Sequence, residues 1–194
     1  MSNHFIASRI DEDMRQRWVD SALIRNLHEW VQSNWLVLVN WKKVWLILLN
    51  PNFSPLIRYA CGISEVGYGE ESDSRRTPRW FHSVCEMLWH NVDKYQSFSW
   101  WKRTEIVTPT YKPEIIPSMI SRIVRLDWME TGSNDNTQSR RIYIHWTRNH
   151  WRLAEWITAI SWWCINLHPT DIVSLFHRLS IGMPVYISES DLLS

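Results

Sequence analysis

The spacing of apolar positions predicts how the chain begins. Apolar residues recur at steps of three and four over residues 11–33, which predicts an amphipathic helix. Ser8 and Asp11 just before it resemble a capping box, in which two side chains satisfy the first free amides of a helix. Residues 62–79 hold three of the five glycines and a mixed run of charges, which predicts a loop.

Two short apolar runs follow the first predicted helix. Residues 35–40 and 44–50 are rich in Val, Leu and Ile and flank a polar break at Lys42 and Lys43. This arrangement predicts a β-hairpin, although the break is not a favoured turn sequence. A continuous helix through 35–49 is the alternative interpretation of the same pattern.

The middle of the chain changes spacing twice. Helical spacing over residues 80–92 predicts a second helix, and residues 99–108 predict a strand. Three prolines, at positions 109, 113 and 117, then predict an extended connector, because proline fixes its own φ and restricts the residue before it.

Apolar and polar residues alternate along two segments in the second half of the chain. Residues 119–129 and 140–146 alternate between apolar and polar positions around the polar segment 131–139, which predicts a β-hairpin with a long loop. A tryptophan-dense helix is predicted over 149–167.

A short last helix is predicted over residues 170–180, with Thr170 as its N-cap and an irregular tail from Gly182. The whole order predicts an α+β fold: an antiparallel sheet with flanking helices and a small C-terminal helical unit. We expect an α+β sheet domain over 1–147 and a tryptophan-rich helical unit over 148–194.

Composition limits the class of protein. An apolar content of 45% is typical of a globular domain, and a net charge of +1 gives no overall attraction to nucleic acid. The three cysteines are far apart and odd in number, which favours a reducing compartment over a disulfide framework. The N-terminus lacks the features of a signal peptide, and no run reaches the ~20 apolar residues of a membrane span. We therefore expect a soluble intracellular protein.

Histidine and cysteine side chains near the C-terminus form a candidate zinc site. The spacings match no compact zinc pattern, and ordinary core and surface histidines are the alternative, so we expect no cofactor. The five candidates are His145, His150, Cys164, His168 and His177, of which Cys164, His168 and His177 are the easiest to bring together.

Enzyme motifs are absent from the sequence. It contains no GxSxG, phosphate loop, HExxH or paired-carboxylate pattern. Cys85 is a candidate nucleophile, but on the apolar face of a predicted helix a free cysteine usually acts as a small hydrophobic side chain. We expect a protein that binds rather than catalyses.

Fifteen tryptophans suggest two kinds of binding surface. Exposed tryptophans beside arginine or lysine stack unpaired bases, whereas the same rings can fill a core or lie under an arginine. The candidate nucleic-acid or target surface comprises Trp100, Trp101, Lys102, Arg103, Arg140 and Arg141.

The last predicted helix carries an apolar stripe. A stripe of this width on a short helix is typical of a face that docks into another protein's groove, and packing against the preceding tryptophan-rich helix is the alternative. The candidate docking residues are Leu175, Phe176, Leu179 and Met183.

Three segments resemble the lentiviral virion infectivity factor (Vif) family of viral accessory proteins. These are RIDEDMRQRWVDSALIRNL at 9–27, RRIYIHWTRNHW at 140–151 and SLFHRLSIGMP at 174–184. The resemblance implies a non-enzymatic adaptor in the host cytoplasm or nucleus. It would hold a host antiviral cytidine deaminase at a surface that includes Trp18. Its last helix would bind elongin B/C and recruit a cullin ubiquitin ligase. The alternative is a nucleic-acid-binding regulator that uses tryptophan stacking.

Overall fold

The computed structural model describes residues 8–10, 12, 35–40, 44–99, 102–106, 119–146 and 163–189. Within these ranges residues 8–10 and 12 are helical, and the remaining elements are ten strands and two helices. The strands are β1 (Leu36–Asn40), β2 (Trp45–Leu49), β3 (Pro55–Gly62), β4 (Trp80–Leu88), β5 (Gln96–Ser99), β6 (Lys102–Ile106), β7 (Met119–Trp128), β8 (Tyr143–Trp146), β9 (Ile165–Leu167) and β10 (Pro184–Ser188). The helices are α1 (Thr137–Arg140) and α2 (Pro169–Phe176). None of the described helices is long and apolar enough to cross a membrane.

Eight of the strands form a closed circuit. The sheet order is β4-β10-β1-β2-β3-β9-β8-β7-β5-β6, and an additional pairing of β4 with β7 joins the ends of the first eight strands. β5 pairs with β7 and carries β6 outside this circuit. Since β1–β10 and β8–β9 are parallel while the other pairs are antiparallel, the sheet is mixed. The predicted α+β class is confirmed, but the predicted purely antiparallel sheet is wrong.

The circuit encloses the largest hydrophobic cluster, to which every one of its eight strands contributes. Along each strand successive side chains point to opposite faces, so the alternate residues point outward. Val37 and Val39 of β1 face inward, for example, while Leu36 and Leu38 join a second cluster on the outer face. A third, smaller cluster lies on the outer face around β7, β8 and β9.

Both predicted hairpins are confirmed. β1 and β2 pair antiparallel with Leu36 opposite Leu49, which excludes the alternative of a continuous helix. β7 and β8 pair antiparallel with Val124 opposite Ile144. These runs are rich in Val, Leu and Ile, which is typical of strands that are buried on both faces.

The predicted helix over residues 80–92 is wrong, because this segment contains β4. A β-bulge explains the misleading spacing. His82 to Val84 pair with Trp128 to Leu126, but Glu86 is the next to pair, with Arg125, so Cys85 is an extra residue on β4. An extra residue shifts the alternation by one position. The apolar residues on either side of it therefore acquire a helix-like spacing.

Two predicted elements within residues 148–194 are also corrected. Residues 147–162 lie outside the described residues, but 165–167 form β9, between β3 and β8, instead of the end of a helix. The tail after Gly182 contains β10, between β1 and β4, instead of irregular chain. The described part of this region therefore belongs to the same sheet as the rest of the chain.

The short C-terminal helix exists as α2, but its cap and its stripe differ from the predictions. His168 is the N-cap and Thr170 lies inside the helix. Leu175 is fully buried, Phe176, Leu179 and Met183 are nearly so, and all four belong to the interior cluster. The stripe is therefore part of the core and not a docking face, whereas the tryptophan-rich helix that the packing alternative named lies mostly outside the described residues.

Candidate active site

Four polar or reactive side chains share the outer face of β8 and β9. The two strands run parallel with Ile144 beside Ile165 and His145 beside Asn166. Ile144 and Ile165 belong to the interior cluster. Alternation therefore puts Tyr143 and His145 on the outer side of β8, next to Cys164 and Asn166 on the outer side of the β9 segment. The outer-face cluster that contains Tyr143 and Cys164 confirms this placement.

His145 is held in one orientation by the backbone. Its Nδ1 lies 3.2 Å from the carbonyl oxygen of Trp146. Because a carbonyl can only accept a hydrogen bond, Nδ1 carries the proton and Nε2 keeps a lone pair. Burial lowers the pKa of His145 to about 4, and the Trp146 carbonyl partly opposes this shift. At neutral pH the ring is therefore a neutral base, and within the described residues Nε2 has no hydrogen-bond partner.

Cys164 is a buried thiol on the neighbouring strand. It is 7% exposed, and its Sγ lies 3.8 Å from the carbonyl oxygen of Arg141. Burial raises the pKa of Cys164 to about 12, opposed by a hydrogen bond from the Tyr143 backbone and by the charge of Arg140. The resting group is therefore a thiol, and it becomes a nucleophile only when a base removes its proton.

Asn166 is the most unusual polar side chain of this face. It is 1% exposed, and neither its amide nitrogen nor its amide oxygen has a hydrogen-bond partner. Buried amides in native proteins are nearly always paired, and an unpaired one is a sign of function or of a missing ligand. Here the unpaired amide lies directly beside His145 in the strand register.

Apolar side chains surround the four residues. The outer-face cluster combines Ile123, Tyr143 and Cys164 with partly buried Leu88, Trp89, Met119 and Trp163. The Trp89 ring stacks on Phe98. Such surroundings exclude water, which keeps the imidazole and the thiol uncharged and strengthens every electrostatic interaction between them and a bound group.

A second buried histidine, His82, is structural. Its Nδ1 lies 2.9 Å from the Trp80 carbonyl oxygen, and its Nε2 lies 3.2 Å from Thr137 Oγ1. Burial lowers its pKa to about 4 as well. Asn134 ties the same loop to β4, donating to the Arg79 and Phe81 carbonyls. Both ring nitrogens of His82 are therefore in use, and this cluster has no free base.

Cys85, which the sequence predicts to act as a small hydrophobic side chain rather than as a nucleophile, lies elsewhere. It occupies the bulge of β4, half-buried, with its Sγ 3.4 Å from the Arg125 carbonyl oxygen. Burial raises the pKa of Cys85 too.

The candidate zinc ligands do not gather in the described part of the chain, in which no three metal-binding side chains come together. Cys164 lies on the sheet, His168 caps α2 with its Nδ1 2.8 Å from Thr170 Oγ1, and His177 follows the other end of the helix. A helix of eight residues separates the two histidines by ~12 Å. His150 lies outside the described residues.

The residues of the candidate nucleic-acid surface lie on different elements of the structure. Lys102 and Arg103 are exposed on β6. Arg140 instead donates to the Gly69 and Arg76 carbonyls of the 62–79 loop, so it is committed to the fold. Arg141, exposed, holds a left-handed conformation at the end of α1. Three further candidates, Trp18, Trp100 and Trp101, lie outside the described residues.

Comparison with solved structures shows the fold. An L,D-transpeptidase from Mycobacterium smegmatis matches with a TM-score of 0.50 and 16% sequence identity, over 80% of this chain and 58% of that chain. L,D-transpeptidase 3 from Mycobacterium tuberculosis matches with a TM-score of 0.46 and 13% identity, over 80% of this chain and 60% of that one. The chain thus spans less than two thirds of these structures. No protein-family model and no curated protein matches the sequence.

This likeness overturns the resemblance to Vif. The fold is similar to that of bacterial enzymes, so the expectations of a viral adaptor, of a nucleic-acid regulator and of a non-enzyme are wrong. It also contradicts the expected partners, which were elongin B/C, a cullin and a cytidine deaminase. The expected location in the host cytoplasm or nucleus is wrong for the same reason. The short segments that carried the resemblance fall partly in core strands and helix α2, where apolar spacing reflects packing.

Sequence reasoning named His145 and Cys164 only as metal ligands and did not name Asn166. The reason is the predicted helix over 149–167. On a helix, residues 164 and 166 point about 200° apart. On a strand they share a face, and the alternation of Cys164, Ile165 and Asn166 is the signal that identifies it.

Proposed function

We propose that the protein is an acyl-transferring enzyme of the L,D-transpeptidase kind, with Cys164 as its nucleophile and His145 as its general base. The observation that carries the proposal is the hydrogen bond from His145 Nδ1 to the Trp146 carbonyl, on the same sheet face as Cys164. It matches the general arrangement of an activated nucleophile, in which a base is oriented by a third group. The fold supports the reaction class, because the protein from Mycobacterium smegmatis with the same fold is named a transpeptidase.

The chemistry begins from the uncharged pair. His145 Nε2 takes the proton of the Cys164 thiol as the sulfur attacks a peptide carbonyl. The imidazolium then donates that proton to the departing amine, which leaves a thioester on Cys164. A second amine attacks the thioester, His145 accepts its proton, and the proton returns to the sulfur as the new amide departs. The Trp146 carbonyl stabilises the imidazolium at each stage, because its hydrogen bond strengthens when the ring is charged.

Asn166 has the free hydrogen-bonding capacity that a peptide substrate needs. Its amide nitrogen can donate to the carbonyl under attack, or its oxygen can accept the N–H of the neighbouring peptide bond. Either contact satisfies a group that is unpaired in the ligand-free protein. Donors of this kind, fixed in a dry site, stabilise the charge that develops on the carbonyl oxygen.

Covalent labelling tests this proposal. One solved structure of similar fold is an L,D-transpeptidase bound to imipenem, which makes this β-lactam a suitable acylating probe. We expect intact-protein mass spectrometry to show one imipenem adduct, mapped to Cys164 by peptide digestion. The adduct should be absent in Cys164→Ala. It should form 10²–10⁴ times more slowly in His145→Gln, the range for loss of a general base.

Cys85→Ala is the matched control, because Cys85 is the most exposed of the three cysteines and lies outside the site. It should be labelled at the wild-type rate. An adduct on Cys85 instead of Cys164, or no adduct in a folded protein, would refute the proposed nucleophile. An unchanged rate in His145→Gln would remove the proposed base.

A further inference from the structure

A buried arginine lies at a break in β7, on the opposite side of the sheet from the candidate active site. Ile120 pairs with Trp146 and Ile123 with His145, so Ser121 and Arg122 bulge out of the ladder between them. Ser121 has a left-handed φ of 72°, which residues other than glycine seldom adopt. The Arg122 guanidinium lies 5.7 Å from the ring centre of Phe176, a residue of the interior cluster.

The positive charge of Arg122 is poorly compensated. The residue is 6% exposed, and its Nη1 donates to the Val92 carbonyl at 2.7 Å. No carboxylate among the described residues forms an ion pair with it, and Asp93 acts on it only at a distance. Arg122 Nε and Ser121 Oγ are buried without any partner. Burial of an unpaired charge is strongly unfavourable, so a site of this kind is completed by an anion.

Two exposed imidazoles lie near the same Phe176 ring. The ring centres of His90 and His177 lie 4.8 Å and 6.3 Å from that of Phe176, each close to perpendicular to it. Arg122, His90 and His177 thus surround one buried aromatic ring. All three can donate hydrogen bonds, and none of the three is paired with an acid in the described part of the chain. The arrangement suits a negatively charged group.

We propose that Arg122, with Ser121 and the two rim histidines, forms a binding site for a small oxyanion group, a carboxylate or a phosphate. The free Arg122 Nε and the Ser121 hydroxyl donate to the anion oxygens. The planar guanidinium is well suited to such a group, because its parallel N–H bonds match the geometry of carboxylate and phosphate oxygens. Arg122 lies near Phe176 of the interior cluster, whereas Cys164 belongs to the outer-face cluster, so anion binding can be tested without the proposed acyl transfer.

Thermal unfolding in defined anions tests the site. Potassium phosphate and potassium acetate are titrated separately into a chloride buffer at constant ionic strength and pH, and the midpoint of unfolding is followed. A ligand that binds only the folded state raises the midpoint in a saturable way. We expect saturation with wild type for at least one anion. Saturation with phosphate only indicates a phosphoryl ligand, and with acetate only a carboxylate ligand.

Two variants separate binding from general salt effects. Arg122→Gln should lower the apparent anion affinity at least tenfold. Arg122→Lys keeps the charge without the planar fork, so it should bind measurably but more weakly than wild type. Arg125→Gln is the control, because Arg125 lies on the same strand, is half-exposed and pairs with Glu86; it should respond like wild type. A linear response to both anions in wild type, or an equal response in Arg122→Gln, would overturn the proposal.

Discussion

His82 and His145 show how two buried copies of one residue type acquire different roles. Burial lowers the pKa of each to about 4, so both are neutral at pH 7. Each also binds a backbone carbonyl through Nδ1. The difference is the second nitrogen: His82 Nε2 is occupied by Thr137, whereas His145 Nε2 has no partner among the described residues. A neutral ring with a free lone pair can act as a base, and a ring whose two nitrogens are both hydrogen-bonded cannot.

Replacing Asn166 should raise the stability of the protein and lower its activity. Replacing it with leucine removes two unpaired polar atoms from a buried site, and each such atom typically destabilises a protein by about 1–3 kcal/mol. We expect Asn166→Leu to raise the free energy of unfolding by about 1 kcal/mol or more, measured in urea. The same change should slow adduct formation at Cys164, because the proposed amide contact to the substrate is lost.

Asn134→Leu is the control for this prediction. Asn134 is equally buried, but its amide donates to two carbonyls and its oxygen accepts the Glu130 N–H. Its replacement should therefore lower stability. If both variants lose stability equally, Asn166 is a paired structural residue and its proposed role fails.

At the scale of elements, the strand β4 and the helix α2 show opposite outcomes of the same sequence pattern. Apolar spacing of three and four predicted helices at 80–92 and 170–180, and only the second prediction is confirmed, as the shorter α2. β4 gains partners on both sides, β7 and β10, and its bulge accommodates the extra residue. The pairing is non-local, so no local pattern contains it.

The stripe on α2 yields a prediction about stability. Leu175 is fully buried in the interior cluster, so Leu175→Ala should lower the free energy of unfolding by about 2–5 kcal/mol. Leu175→Asp should prevent folding, since it buries an unpaired carboxylate. His177→Asp, at an exposed position beyond the helix, should change stability far less. Circular dichroism during urea titration measures all three, and a stably folded Leu175→Asp variant would show that this side chain is not buried in the core.

At the scale of the whole molecule, His82 and His145, the two buried histidines of the described ranges, make stability depend on pH. Their folded-state pKa values, about 4, lie below the ordinary value of 6.5. The unfolded chain therefore takes up protons first as the pH falls. Stability is fully present above pH ~6.5 and decreases down to pH ~4, by up to ~1.4 kcal/mol per pH unit for each histidine. Free energies of unfolding measured at pH 7, 6 and 5 check this slope.

His82→Gln should make that slope shallower, because one of the two protonation sites is removed. His168→Gln should leave it unchanged, since His168 is exposed at the N-terminus of α2. A stability that stays constant from pH 7 to pH 5 would show that these two imidazoles are not held neutral by burial.

The sequence alone determined the elements whose pattern is local. The two hairpins, the loop at 62–79, the short helix near 170 and the α+β class follow from alternation, glycine content and apolar spacing, which act between neighbours along the chain. Only the tertiary structure decided that β9 and β10 join the sheet, that β4 is a strand and that the circuit closes through β4 and β7. The candidate site depends on these strand pairings. His145 and Cys164 are nineteen positions apart in the sequence and share one face of the sheet only because β8 and β9 pair in parallel. Pairing of that kind is stabilised by contacts between segments that are distant in the sequence, and these contacts form only when the chain folds.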